Sequence, residues 1–164
     1  MSLVGIGYDS HRLVAGRRLV IGGVEMPSEL GLEGHSDADV LAHAIIDALL
    51  GAAGLGDIGE RFPDSDERWR DADSLQLLAG VVQMIGDAGL EVVNVDCTVA
   101  IEAQRLSPHT RAMRERLAAV LGLSPAQVNV KASSGEGMGF IGRGEGAAAL
   151  AVASLRPRGA RATG

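Results

Sequence analysis

The sequence predicts an α+β fold: a mixed sheet of about four or five strands with helices packed on one face. Three observations point there. Segments of strand-like alternation and segments of helix-like apolar spacing succeed one another along the chain. No internal repeat interrupts them. At 164 residues the chain suits one domain with a real hydrophobic core. Helices on one face leave the other face bare, and a subunit contact is its simplest cover, so an oligomer is expected. The domain is expected over residues 1–155, with 156–164 as a flexible C-terminal tail.

Leu3 to Arg12 reads as the first strand. Arg18 to Val24 reads as a short strand ended by Gly22-Gly23 and Pro27. Asp37 to Gly51 is a strong helix: Val40, Leu41, Ala44, Ile45, Ala48 and Leu49 form one apolar stripe, and Ser36 or Asp37 can cap its start. Gly54 to Asp73 is polar and broken by Gly56, Gly59 and Pro63, a long loop of the kind that carries function. Ser74 to Ala88 reads as a second helix stopped by Gly89. Leu90 to Glu102 alternates like a long strand. Ser107-Pro108 opens a third helix that runs to Leu121, with Gly122 as the stop signal. Gln127 to Ser134 is a strand, Gly135 to Gly146 a glycine-rich loop, and Ala147 to Leu155 a closing strand of small residues.

Composition narrows the function. The formal charge is −6 and no basic block interrupts the body of the chain, which argues against nucleic acid as a partner. Aromatic residues are only 2% of the chain, too few for base-stacking platforms. No apolar run is long enough to span a membrane, and no signal peptide is visible. Cys97 is the sole cysteine, so no internal disulfide forms; a reducing cytoplasm is the expected compartment. Cys97 falls in an apolar alternation and reads as a buried thiol.

The chemistry-bearing residues form three clusters. In a strand, residues i and i+2 share a face, so Asp9 and His11 place a carboxylate beside an imidazole. His43 on the first helix would supply a third ligand and leave one position of a tetrahedral metal open, as in catalytic zinc sites. Asp39 and Asp47, each four residues from His43, are rivals for the third ligand or for orienting His43. His35 and Ser36 precede the helix, where amides and dipole favour an anion such as phosphate. The acidic loop, Asp57-Ile58-Gly59 and Phe62-Pro63-Asp64-Ser65-Asp66, offers acceptors for a polyol. The third cluster is Ser133-Ser134-Gly135-Glu136 with the glycines that follow, whose amides can approach phosphate. It has no Gly-Lys-Ser or Gly-Lys-Thr end, so it is not a P-loop, and its glycines precede a strand rather than opening a helix. There Glu136 is suited to magnesium.

Taken together, these clusters resemble the 2-C-methyl-D-erythritol 2,4-cyclodiphosphate synthase family of the non-mevalonate isoprenoid pathway. The resemblance spans about Val4 to Leu155. It rests on Gly7-Tyr8-Asp9-Ser10-His11, Gly34-His35-Ser36-Asp37-Ala38-Asp39-Val40, Asp47-Ala48-Leu49-Leu50-Gly51-Ala52, Leu55-Gly56-Asp57-Ile58-Gly59, Phe62 to Asp66, Asn129-Val130-Lys131-Ala132 and Gly139 to Gly146. It implies a single catalytic domain assembled as a homotrimer, with active sites at the subunit interfaces. It implies Asp9, His11 and His43 as metal ligands, for Zn2+ first and with Mn2+ or Co2+ as substitutes. Glu136 would hold Mg2+ or Mn2+ with the substrate diphosphate, and His35 and Ser134 would steady the transition state. The substrate would touch Asp9-Ser10-His11, His35-Ser36, Asp57 to Gly59 and Phe62 to Asp66. Its cytidine would meet Ile101-Glu102-Ala103-Gln104-Arg105-Leu106-Ser107 from an adjacent subunit, and its phosphates Ser133 to Glu136.

The chain departs from the family pattern at three places. Gln104-Arg105 stands where Pro-Lys is usual, which changes one charged contact to the nucleotide. Ser133-Ser134-Gly135 stands where threonines are common. Tyr8 replaces a common phenylalanine near the trimer axis. With Phe140 and Arg143, that region resembles a central cavity that holds isoprenoid diphosphates.

Overall fold

A computed structural model describes residues 2–159. Its centre is a five-stranded mixed sheet of β1 (Leu3–Ala15), β4 (Leu30–Leu32), β5 (Leu90–Ala100), β6 (Val128–Ser133) and β7 (Gly146–Pro157), in the order β4-β1-β7-β5-β6. β5 and β6 run parallel and the other neighbours antiparallel. Three helices line one face: α1 (Val40–Ala53) on β1 and β7, α3 (Ser74–Asp87) on β5, and α4 (Thr110–Leu121) on β6. The α+β expectation therefore holds, including the helices on one face.

Side chains alternate across the sheet, as the period of two requires. Val95, Cys97, Val99, Val128, Val130, Ala149, Ala151 and Ala153 point into the helices and are buried. Val4, Ile6, Tyr8, Leu150 and Val152 point the other way, and Ile6 is 67% exposed. Burial pushes the Cys97 thiol up to about 12, so it is an inert core group.

Two glycines set how closely α1 approaches the sheet. A Cβ on Gly7 would stand 1.9 Å from the Ala44 carbonyl oxygen and 2.6 Å from the Ala48 nitrogen. A Cβ on Gly5 would stand 2.1 Å from the Ala48 oxygen. The obstacle is backbone in each case, so no rotamer relieves it. Gly7→Ala is expected to destabilise the fold by about 3 kcal/mol or more, by forcing α1 off β1. Chemical denaturation measures this; a variant as stable as the parent would contradict the close-approach account.

Several boundaries differ from expectation. The first short strand is a hairpin, β2 (Leu19–Ile21) and β3 (Val24–Met26), turning through Gly22 (φ 59°) and Gly23 (φ 71°). The first helix is capped by neither Ser36 nor Asp37 but by Asp39, whose carboxylate accepts from the Leu41 and Ala42 amides. Ala38 is left-handed (φ 57°), which breaks the helical path one residue earlier. α4 begins at Thr110 rather than Ser107, because Leu106 to Thr110 forms a turn closed by the His109 amide on the Leu106 carbonyl. The polar loop holds a one-turn helix, α2 (Ile58–Arg61), and a 3₁₀ turn over Glu67–Trp69. The glycine-rich loop holds another one-turn helix, α5 (Gly139–Gly142).

β7 also runs further than expected, so Arg156 and Pro157, placed in the tail from sequence, are strand residues. Arg156 pairs with Glu91 on β5. Arg158 and Gly159 follow in a turn, with the Arg158 amide on the Gly89 carbonyl at 2.8 Å, and the remainder of the expected tail, 160–164, lies outside the described residues.

Candidate functional site

The close packing of α1 on β1 puts His43, the neighbour of Ala44, over the helix-facing side of β1. Asp9 and His11 lie on that same side. His43 Nδ1 is 3.0 Å from Asp9 Oδ2, and His11 Nε2 is 2.9 Å from the same oxygen. The two histidine nitrogens are 3.2 Å apart. Among the described residues, these three form the one cluster able to hold a metal ion, with one ligand atom from each within 4.8 Å of the others.

The outer atoms of the cluster fit that role. His11 Nδ1 is 2.7 Å from the Glu33 carbonyl oxygen, which can only accept. In the neutral ring the proton therefore sits on Nδ1, and Nε2 keeps its lone pair for the cluster. His43 has its outer nitrogen, Nε2, on Ser74 Oγ at 2.9 Å and Ser36 Oγ at 3.1 Å. Each histidine is thus held by protein at one nitrogen and offers the other inward, as metal-ligating histidines do. The two rivals are engaged elsewhere. Asp39 is fully buried and accepts four amides, from Gly22, Gly23, Leu41 and Ala42. Asp47 accepts from the Ile58 amide.

The charges respond to this geometry. Burial pushes the Asp9 carboxyl up, but hydrogen bonds from the protonated forms of the His11 and His43 rings, with their charges, outweigh it and hold Asp9 well below the usual carboxylate range. Burial lowers His11, yet the Asp9 hydrogen bond and charge prevail and raise it above the ordinary 6.5. In the metal-free protein the His11–Asp9 pair therefore contributes fully below pH 6.5, and that contribution is lost as pH rises through the raised value. A metal must displace the same proton. Affinity for a divalent metal ion is expected to fall about tenfold per pH unit below that value, while Asp9 stays ionised. Chelator competition from pH 5.5 to 8.5, set by these shifts, measures the slope; a flat profile would remove His11 as a ligand.

The cluster opens into a cleft of about 480 Å³. His35, Ser36, Ile58, Gly59, Phe62, Pro63 and Asp64 line it, as do Trp69 and Leu77, which the sequence reading missed. The only tryptophan of the chain was the available signal. Trp69 stacks edge-on against Phe62 at 5.1 Å, and its Nε1 is buried without a partner. Four expected residues are not in this lining, and one of them, Ser10, lines a separate hollow with Phe140. Asp57 caps α2, Asp66 caps the 3₁₀ turn and binds Arg68, and Ser65 is exposed. The helix N-terminus does not await an anion, because the Asp39 carboxylate already occupies its first amides. Ser36 instead bonds His43, and His35 Nε2 lies 3.3 Å from the Asp66 carbonyl oxygen.

The other expected residues gather elsewhere. Ile101, Glu102, Gln104, Arg105, Leu106, Ser107, Ser133 and Ser134 line a second cleft, of about 330 Å³; Ala103 is exposed beside it. Glu102 accepts from the Gly135 amide at 2.8 Å, and Glu136 from Ser134 Oγ at 2.8 Å. Glu136 holds an uncommon left-handed backbone (φ 49°). Phe140 lines a third hollow with Ser10 and His11, and Arg143 pairs with Glu145 at its edge. The first two clefts are separated by the sheet itself. Ser10, Ala148, Ala100 and Ser133 form one cross-sheet row, so Ser10 and Ser133 are three strand spacings, roughly 14 Å, apart.

The chain matches the model of the YgbB family over residues 2–156. It is 58% identical over 156 residues to a 2-C-methyl-D-erythritol 2,4-cyclodiphosphate synthase of Symbiobacterium thermophilum, covering 95% of this chain and 99% of the relative. Among solved structures, the bifunctional IspDF of Campylobacter jejuni superposes with a TM-score of 0.92 at 41% identity; the match covers 96% of this chain and 42% of that one. A 2C-methyl-D-erythritol-2,4-cyclodiphosphate synthase in its CDP-bound form superposes at 0.86 with 35% identity, covering 93% of this chain and 99% of that one. With its clusters on this fold and this match along nearly its whole length, the chain belongs to the YgbB family.

Proposed function

We propose that this enzyme converts 4-diphosphocytidyl-2-C-methyl-D-erythritol 2-phosphate to 2-C-methyl-D-erythritol 2,4-cyclodiphosphate and CMP, in the cytoplasm. The observation that carries this reading is the Asp9–His11–His43 cluster opening into a cleft of about 480 Å³. The relatives named as synthases, one solved with CDP, support it.

An oxygen of the 2-phosphate forms a bond to the β-phosphorus. The bond from that phosphorus to the oxygen bridging to the α-phosphorus breaks, and CMP leaves with that oxygen. The nucleophile is already an anion, so no general base is needed, and positioning and charge neutralisation supply the rate. Asp9, His11 and His43 would hold zinc, which supplies Lewis-acid polarisation of phosphate oxygens. Glu136 is exposed and offers a single carboxylate, which suits a magnesium ion shared with a diphosphate. His35 and Ser134 donate hydrogen bonds to the phosphates as charge moves between them. Ile58, Gly59 and Phe62 to Asp64 hold the methylerythritol chain bent for ring closure. The segment from Ile101 to Ser107 holds the cytidine.

Within one chain the two clefts lie on strands with two other strands of the sheet between them. We place the second cleft of a neighbouring copy against the first, in a homotrimer. The apolar open face at Val4, Ile6, Tyr8, Leu150 and Val152 would form its interior, with Phe140 and Arg143 at the end suited to an isoprenoid diphosphate.

Phosphorus NMR of the protein with zinc, magnesium and substrate tests the reaction. Equal amounts of CMP and a cyclic diphosphate are expected. CMP with a linear bisphosphate would replace this reading with metal-dependent hydrolysis; no turnover with zinc bound would leave a binding protein. Glu136→Gln is expected to raise the magnesium needed for half-maximal rate by about tenfold or more, from loss of a charged ligand. An unchanged magnesium titration would remove Glu136 as a ligand.

A further inference from the structure

Ser74 opens α3 and is completely buried. Its hydroxyl is not spent on the helix, because Asp73 is the N-cap and accepts from the Leu75 amide at 2.8 Å. The Ser74 hydroxyl instead donates to Asp37 Oδ1 and lies 2.9 Å from His43 Nε2. Asp37 is held in turn: its Oδ2 accepts from the Ser74 amide at 3.1 Å, and its own amide donates to the Ala72 carbonyl at 3.0 Å.

A hydroxyl has one proton and two lone pairs. With that proton directed at the Asp37 carboxylate, Ser74 Oγ can only accept from His43. The neutral His43 ring then carries its proton on Nε2, and its Nδ1 lone pair faces Asp9 and His11. Ser36 Oγ, 3.1 Å from the same nitrogen, takes the Ala38 amide as donor but contacts no carboxylate.

We propose that Asp37 and Ser74 are positioning residues for the metal centre, a carboxylate–hydroxyl–imidazole chain that sets the tautomer and direction of His43. This inference rests on the three-ligand reading above. It also ties the end of the 54–73 segment, which walls the cleft, to a metal ligand on α1. The expected orienting groups were Asp39 and Asp47; neither bonds the His43 ring.

The test is zinc affinity of the purified protein by chelator competition, with nitrogen NMR of the metal-free His43 ring at pH 8. Ser74→Ala is expected to weaken zinc by about 10- to 100-fold, as loss of such partners does. Asp37→Asn alone, which leaves Ser74 in place, is expected to weaken it severalfold, and to add nothing in the Ser74→Ala background. The parent ring is expected to carry its proton on Nε2. Unchanged affinity in Ser74→Ala, losses that multiply in the double variant, or a parent ring protonated on Nδ1 would each overturn the proposal. A parent protein that bound no zinc would instead overturn the three-ligand reading on which the proposal stands.

Discussion

Replacing His43 with alanine is expected to abolish stoichiometric zinc binding and lower turnover on the order of a thousandfold or more. The reason is geometric. His43 is the one member of the cluster that α1 contributes, and its Nδ1 lies within 3.2 Å of the nearest atoms of Asp9 and His11. Asp9 and His11 alone leave two ligands on one strand. The cost to the fold is modest. The ring is nearly buried and bonds Asp9, Ser36 and Ser74, so its loss costs about 1–3 kcal/mol. Ser74 keeps Asp37 as a partner, and the apolar stripe of α1 is untouched. Metal analysis, circular dichroism and light scattering separate the effects: a folded oligomer without zinc is expected. Normal zinc content in this variant would mean that the ligands are other residues.

Ile6→Asp is expected to dissociate the oligomer and lower turnover by about 100-fold or more while leaving zinc bound, since an unpaired carboxylate in an apolar contact costs several kcal/mol. Ile6 is 67% exposed and pairs across the sheet with Val152, in the middle of the apolar open face. Its side chain points away from the helices, so the monomer core survives. Asp9, His11 and His43 all come from one chain, so a metal ion held by them would survive too. Only a site needing a second copy loses activity with the contact. Light scattering, zinc content and product formation are the measurements. An active monomer would refute the shared site, and an intact oligomer would refute the open face as its contact.

Much of this site was legible in the sequence, for identifiable reasons. Asp9 and His11 are two apart in an alternating segment, and that spacing alone puts them on one face. The α1 stripe placed His43 on a helix. Where the helix starts was less legible, since Ser36, Asp37 and Asp39 are all good caps. The choice falls to Asp39 because Ala38 takes a left-handed backbone and the Gly22-Gly23 turn brings two further amides to the Asp39 carboxylate. The one-turn helices α2 and α5 are too short to show a period. Ser74 reads as an ordinary helix start, and only the packing of α3 against α1 gives its hydroxyl another use. Spacing along the chain also says nothing of position across a sheet. Ser10 and Ser133 belong to one expected site yet sit on strands with two others between them.

The most direct test of the shared site is complementation between two inactive variants, His43→Ala and the double variant Ser134→Ala/Glu136→Ala. Co-expressed with different tags, they assemble mixed oligomers. In the proposed homotrimer each interface would join the metal half of one copy to the nucleotide half of the next. With random assembly about a quarter of interfaces pair an intact metal half with an intact nucleotide half. The mixture is therefore predicted to recover about a quarter of the unsubstituted protein's rate, from two variants that alone have almost none. A mixture that stayed inactive although mixed oligomers had formed would contradict the account, because both halves would then have to come from the same chain.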